Sequence, residues 1–197
     1  MDTHDKILEA ARALVEESGR HSLSFRKVAE RAGVSVGSVQ YYFSAMEQLL
    51  DALTDPWHDG LNRILQSAMA ELPSAEDRQA RLVEMCIEIH RLAVAHRELL
   101  LTRRLDTLQR GGLAERRWEP ARKWIAKGAK LAANLVGGDV TRWQLTMTAI
   151  EHLLVGFALT TRAEDLGLST EEVEDFLREA ILGMGRRALA LDQLDPD

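Results

Sequence analysis

Side chains able to do covalent chemistry are sparse in this chain of 197 residues. A single cysteine, Cys86, excludes an internal disulfide and a multi-cysteine metal site. It lies in LVEMCIEIH on an apolar helical stripe, where a thiol is expected to be an inert core group. The histidines at 4, 21, 58, 90, 96 and 152 form no pair three or four residues apart, and no HExxH occurs, so no metal is expected. GxGxxG and GxxxxGK[ST] are absent as well, so no catalytic residue and no cofactor are expected. What remains is hydrogen-bonding chemistry gathered in GVSVGSVQYYF, residues 33–43. The Gln40 amide can make two hydrogen bonds to an adenine edge, Val36 can meet a thymine methyl, and Gly37 and Ser38 allow close approach within a groove about 12 Å wide. Tyr41 and Tyr42 can place hydroxyls on phosphates, and Arg26 and Lys27, beside a helix start at Ser24, can donate N–H groups to them.

Those groups need a scaffold, and the scaffold reads as helical throughout. Apolar residues recur at spacings of three and four, while alternating stretches are almost absent, so the fold class is all-α. The spacing predicts a first helix over 3–17, carrying Ile7, Leu8, Ala11, Leu14 and Val15 and ending at Gly19. A short second helix, FRKVAERA, starts at Ser24 and stops at Gly33. A third, VGSVQYYF, is capped by Ser35. Two short helices joined by a glycine-containing turn, with a third bracing them, are the parts of a helix-turn-helix. Ser44 with Glu47 matches a capping box, which starts a fourth helix that runs until Pro56 interrupts it. Longer helices are expected over 57–71, 75–96, 97–110, 113–136, 139–164 and 170–191, the last opened by a second capping box, Ser169 with Glu172. The reading divides the chain into residues 1–50 and 51–197, with Pro56 marking the seam.

ILEAARALVEESG followed by SFRKVAERAGVSVGSVQYYFSAMEQLL resembles the DNA-binding domain of the tetracycline-repressor (TetR) family of bacterial regulators. The resemblance covers about the first fifty residues, and beyond them extends only to length and helicity. It implies an N-terminal three-helix helix-turn-helix domain and a C-terminal helical domain that binds a small-molecule effector and dimerises. It implies a homodimer through the last two long helices, in which Gly156, Ala158, Gly183 and Gly185 would permit close approach. On this basis Ser24, Arg26, Lys27, Val36, Gly37, Ser38, Gln40, Tyr41 and Tyr42 are candidates for contact with a double-stranded operator. Candidate effector contacts, taken from the long central helices where the family keeps its cavity, are Met85, Ile89, Trp118, Trp143 and Met147, with His152 and Glu151 as polar anchors. The chain departs from the family where Val36 and Met46 replace lysines common in it, and where Gln40 replaces an aromatic residue. The implied function is a ligand-responsive transcriptional regulator, a repressor released from a palindromic operator by its effector, and not an enzyme.

The formal net charge is −6, yet residues 1–50 carry only −1 of it, from Lys6, Arg12, Arg20, Arg26, Lys27 and Arg31 against Asp2, Asp5, Glu9, Glu16, Glu17, Glu30 and Glu47. A globally acidic chain is thus compatible with nucleic acid, but nonspecific attraction is expected to be weak. With no apolar run long enough for a membrane span and no signal-peptide pattern at MDTHDKILEA, the expectation is a cytoplasmic protein without a membrane partner. A second reading, a helical enzyme or small-molecule carrier whose first helices only dimerise or dock to protein, draws on the near-neutral head and the missing lysines. It lacks any nucleophile with a base, carboxylate pair or metal cluster to support it.

Overall fold

The computed structural model describes residues 2–19, 23–71, 77–109 and 115–190, without the side chains of 106, 107, 115–121 and 190. Among the described residues there are no strands. The helices are α1 Thr3–Ser18, α2 Phe25–Ala32, α3 Val36–Tyr42, α4 Met46–Leu53, α5 Asp55–Glu71, α6 Arg78–Ala95, α7 Arg97–Gln109, α8 Glu115–Val136, α9 Val140–Thr160 and α10 Thr170–Ala190, with one 3-10 turn at Ala163–Leu166. No helix among the described residues is long and apolar enough to cross a membrane. The chain forms two compact units, one of Met1–Asp59 with His96–Gly112, the other of Gly60–Ala95 with Leu113–Asp197.

In the first unit each short helix is delimited by the chemistry of its ends. Asp2 accepts from the Asp5 N–H at 2.8 Å to open α1, and Gly19, at φ 63°, closes it. Ser24 caps α2 through the Lys27 N–H at 3.3 Å. Gly33 then takes the left-handed conformation, φ 66° and ψ 35°, which a side chain would resist. Ser35 accepts from Ser38 N–H at 3.0 Å to open α3. The fourth start differs from the expected capping box. Gln48, not Glu47, reaches back to Ser44, accepting from its N–H at 2.8 Å and its hydroxyl at 3.0 Å, and the cap position falls on Ala45. Pro56 lies inside the first turn of α5, where its missing N–H costs nothing, and the break falls earlier, at Thr54. Ile7, Ala11 and Val15 of α1, Val28 and Ala29 of α2, Val39 and Phe43 around α3, and Leu49, Leu50 and Leu53 of α4 share one core with Leu99 of α7. Contacts therefore draw α7 into this unit, which a cut at residue 50 would have left outside it.

The second unit is built around α6. Val83, Cys86 and Ile87 of that helix pack with Leu65 of α5, Ile150 and Leu154 of α9, and Val173, Leu177 and Ile181 of α10. Gly60 of α5 faces Leu92 of α6, and a Cβ there would lie 2.7 Å from Leu92 Cδ2 and push that side chain aside. On the other side of the unit Ala129 and Ala132 of α8 meet Trp143 of α9 and Ala188 of α10, and the indole N–H of Trp143 donates to Gly137 O at 2.7 Å. His90 is a core histidine with its ring nitrogen 3.1 Å from Leu154 O. The second capping box forms as expected. Ser169 Oγ accepts from the Glu172 N–H at 3.2 Å, and Glu172 accepts from the Ser169 N–H at 2.7 Å. The helix expected over 139–164 ends at Thr160, where Thr161 turns extended. The Gly-Gly at 111–112 and the expected helix ends at 75, 113 and 191 lie outside the described residues.

An ion cluster ties α6 to α10. Arg91 grips the buried Glu174 with both arms, at 2.7 and 2.6 Å, and Arg178 approaches the same carboxylate at 3.3 Å. The Arg91 hydrogen bonds hold the Glu174 carboxyl below its ordinary value of 4.5. A carboxylate with a depressed folded value contributes stability above its unfolded value, and that contribution disappears as pH falls through the folded one. Glu174→Gln should therefore cost about 2 kcal/mol at neutral pH, a figure set by a buried carboxylate whose arginine is half exposed. Thermal melts of parent and variant should draw together only as pH falls below the ordinary carboxylate range and through the lowered folded value.

Candidate DNA interface and effector cavity

The seven residues of α3 divide between inside and outside. Val39 is fully buried and the flanking Phe43 nearly so, which leaves Val36, Gln40, Tyr41 and Tyr42 directed outward. Tyr41 is the most open of them, at 83% exposure, and Tyr42 lies at 42% with its ring set edge-on to Tyr41 at 5.3 Å. A Cβ on Gly37 would have only Ser35 Oγ near it, at 3.7 Å, so no internal packing requires glycine there. The exposed backbone it leaves suits close approach by another surface. Ser38 is half-buried, and its hydroxyl lies 2.8 Å from that of Ser35. Residues 33–37, GVSVG, match the spelling of a nucleophile elbow, but Ser35 joins two helices instead of a strand to a helix and is occupied as a cap.

Arg26 and Lys27 are exposed at the start of α2, beside the Ser24 cap, and have no ion-pair partner among the described residues. Arg31 is different. It forms a two-armed bridge to Glu17 of α1, both contacts at 2.5 Å, and holds the Glu17 carboxyl below its ordinary range. One of the six head cations is thereby neutralised between α1 and α2. Sequence reasoning missed His4. Its ring stacks on Phe43 at 5.3 Å and meets Tyr42 edge-on at 5.6 Å, so the first turn of α1 borders the tyrosine pair. No spacing rule connects residues 4 and 42, and only the packing of α1 across α3 could reveal the contact.

In the second unit one apolar cavity lies among α6, α8, α9 and α10. Its lining includes Val83, Cys86, Trp143, Met147 and Ile181, with Gln79 as a polar side chain at the edge. It encloses about 30 Å³, room for roughly a water molecule and far below the ~300 Å³ of a typical ligand site. Of the candidates from sequence, Trp143 and Met147 line it. Met85 is buried in the adjoining core with Ile89 against it, and neither lines the cavity. The Trp118 side chain lies outside the described residues. His152 is exposed, its ring nitrogen 2.7 Å from Thr148 O and 3.0 Å from the Glu151 carboxylate, so those two polar anchors engage each other away from the cavity. Burial pushes the Cys86 thiol up to about 12, which keeps it neutral and unreactive. Leu82, Val136 and Leu189 were invisible to the sequence reading because their convergence depends on the rotation of three separate helices.

Residues 7–53 match the profile of "Bacterial regulatory proteins, tetR family". Over 99 residues the chain is 29% identical to "Probable HTH-type transcriptional regulator YttP" of Bacillus subtilis, covering 50% of this chain and 47% of that one. The chain thus spans about half the length of the curated relatives it matches. Two solved structures share its fold. One is the multidrug binding protein EbrR complexed with malachite green, with TM-score 0.62, 22% identity, and 91% and 96% of the two chains covered. The other is a single-substitution variant of TetR from Acinetobacter baumannii AYE in complex with minocycline, with TM-score 0.61, 20% identity, and 97% and 98% covered. The resemblance seen in the residues and the profile matched over α1 to α4 agree that residues 7–53 are similar to the DNA-binding domain of the tetR family of bacterial regulatory proteins, and the solved structures share the fold of the chain.

Proposed function

We propose that the protein is a cytoplasmic, ligand-responsive transcriptional regulator that binds a two-fold operator as a homodimer and is released from it by a small effector. The observation that carries this reading is the outward set on α3, with Gln40, Tyr41 and Tyr42 on a helix anchored from behind by Val39 and Phe43. Gln40 reads a base edge. Tyr41 and Tyr42, with Arg26 and Lys27, hold the phosphates. The two solved structures named above hold malachite green and minocycline, which supports a ligand-responsive second unit here. The cavity lining favours an uncharged apolar ligand. Its small volume means that the ligand must bind a more open arrangement of α6, α8, α9 and α10 than the one described. In this reading the effector shifts α4 and so changes the spacing of the two heads, which must match half-sites about 34 Å apart per helical turn.

Dimerisation through α9 and α10 is supported by large apolar side chains left open on them, Leu145 at 70% and Phe176 at 56% exposure. Gly156 and Gly183 on the same helices face open space, whereas Ala158 is buried within the chain and Gly185 backs onto Trp143.

Titration of the parent against its own upstream DNA should give a salt-sensitive specific complex, and no shift at any salt concentration would end this reading. Tyr42→Phe should weaken all sequences alike by roughly three- to tenfold, the loss of one phosphate hydrogen bond. Gln40→Ala should instead relax selectivity at one base position per half-site, worth about 1–3 kcal/mol, as read by binding-site selection. Lys27→Ala should reduce the slope of log affinity against log salt by about one. Phe176→Asp should give a monomer in sedimentation with helicity retained and operator binding lost.

A further inference from the structure

Arg103 of α7 makes an ion pair with Asp51 of α4, inside the first unit. The arginine side chain is only 22% exposed, and α7 is seated beside it by the buried Leu99 and Thr102. The pair is incomplete. Arg103 Nη1 is buried without a hydrogen-bond partner, and Asp51 Oδ1, which the other arm touches, has no well-aligned hydrogen bond. This is a one-point contact, unlike the two-armed Arg31–Glu17 bridge between α1 and α2. Asp51 lies on α4 between Leu50 and Leu53, whose side chains fix only the inner face of that helix. The outer side of α4 is thus held by a charge contact in addition to the apolar packing of its inner face, which tolerates sliding.

We infer that Arg103 is a positioning residue for α4, holding it at the angle that sets the spacing of the reading heads. The inference rests on the function proposed above. It adds a residue that touches neither DNA nor effector and a helix, α7, as part of the DNA-binding machinery. Only His96 separates α7 from α6, whose Val83 and Cys86 line the cavity, so the same stretch of chain carries a cavity wall and the grip on Asp51.

The test compares full-length parent, Arg103→Met, Arg103→Lys and Asp51→Asn by amide hydrogen exchange. It also compares their binding to the footprinted two-site upstream DNA and to a duplex holding one half-site. Arg103→Met and Asp51→Asn should speed exchange across residues 46–53 with α2 and α3 unchanged. Both should weaken the two-site complex about tenfold, the effect of losing one charged contact, while half-site binding stays within about twofold. Arg103→Lys should restore both readouts, because a single charge suffices for a one-point contact. Equal losses on both duplexes would reduce the pair to ordinary fold stability and overturn the inference. Unchanged exchange in α4 would overturn it whatever the DNA result, whereas a parent that binds neither duplex would instead defeat the proposed function.

Discussion

A helix of seven residues does not stand by itself in water, because nucleation is costly and too few turns follow to offset it. The outward chemistry of α3 therefore depends on the apolar contact made by Val39 and Phe43 with Ile7, Ala11, Val28 and Leu49. That contact fixes which way the helix is rotated, and the rotation decides which side chains remain outside. Gln40, Tyr41 and Tyr42 are presented because their neighbours are buried. The caps at Ser24 and Ser35 and the left-handed Gly33 hold the turn before α3, so the backbone arrives already in register.

Charge acts more locally than the total suggests. The head is almost neutral, and part of its positive charge is tied up by Glu17, so long-range attraction to phosphate contributes little. In the proposed function, affinity comes from short, aimed contacts of the kind that two tyrosines and a glutamine can make. His4 sits beside Tyr42, its ring edge-on at 5.6 Å. In the second unit the strong electrostatics are structural. Glu174 is buried with two arginines around it, pinning α10 to α6, while the same two helices also contribute to the apolar cavity lining.

Much of this could be read along the chain. The boundaries of α2 and α3, the stop at Gly33 and the box at Ser169 follow from interactions within four residues, where sequence distance and spatial distance are nearly the same. The start of α4 shows the limit of that rule. Glu47 and Gln48 both stand within reach of Ser44, and spacing alone favoured the wrong one. Candidate effector residues fared unevenly for a similar reason. Membership of a long helix said nothing about rotation, so Trp143 and Met147 reached the cavity while His152 turned to the outside.

The sequence by itself determined the all-α class and the short helices that meet at Gly33, because periodicity, caps and glycine conformations are local properties of the chain. Tertiary structure alone decided that α7 joins the first four helices, that Arg103 meets Asp51, that His4 borders Tyr42, and that the cavity described in the second unit is small and apolar. Each of those joins residues far apart in sequence, and such contacts depend on how helix faces pack, which no single helix encodes.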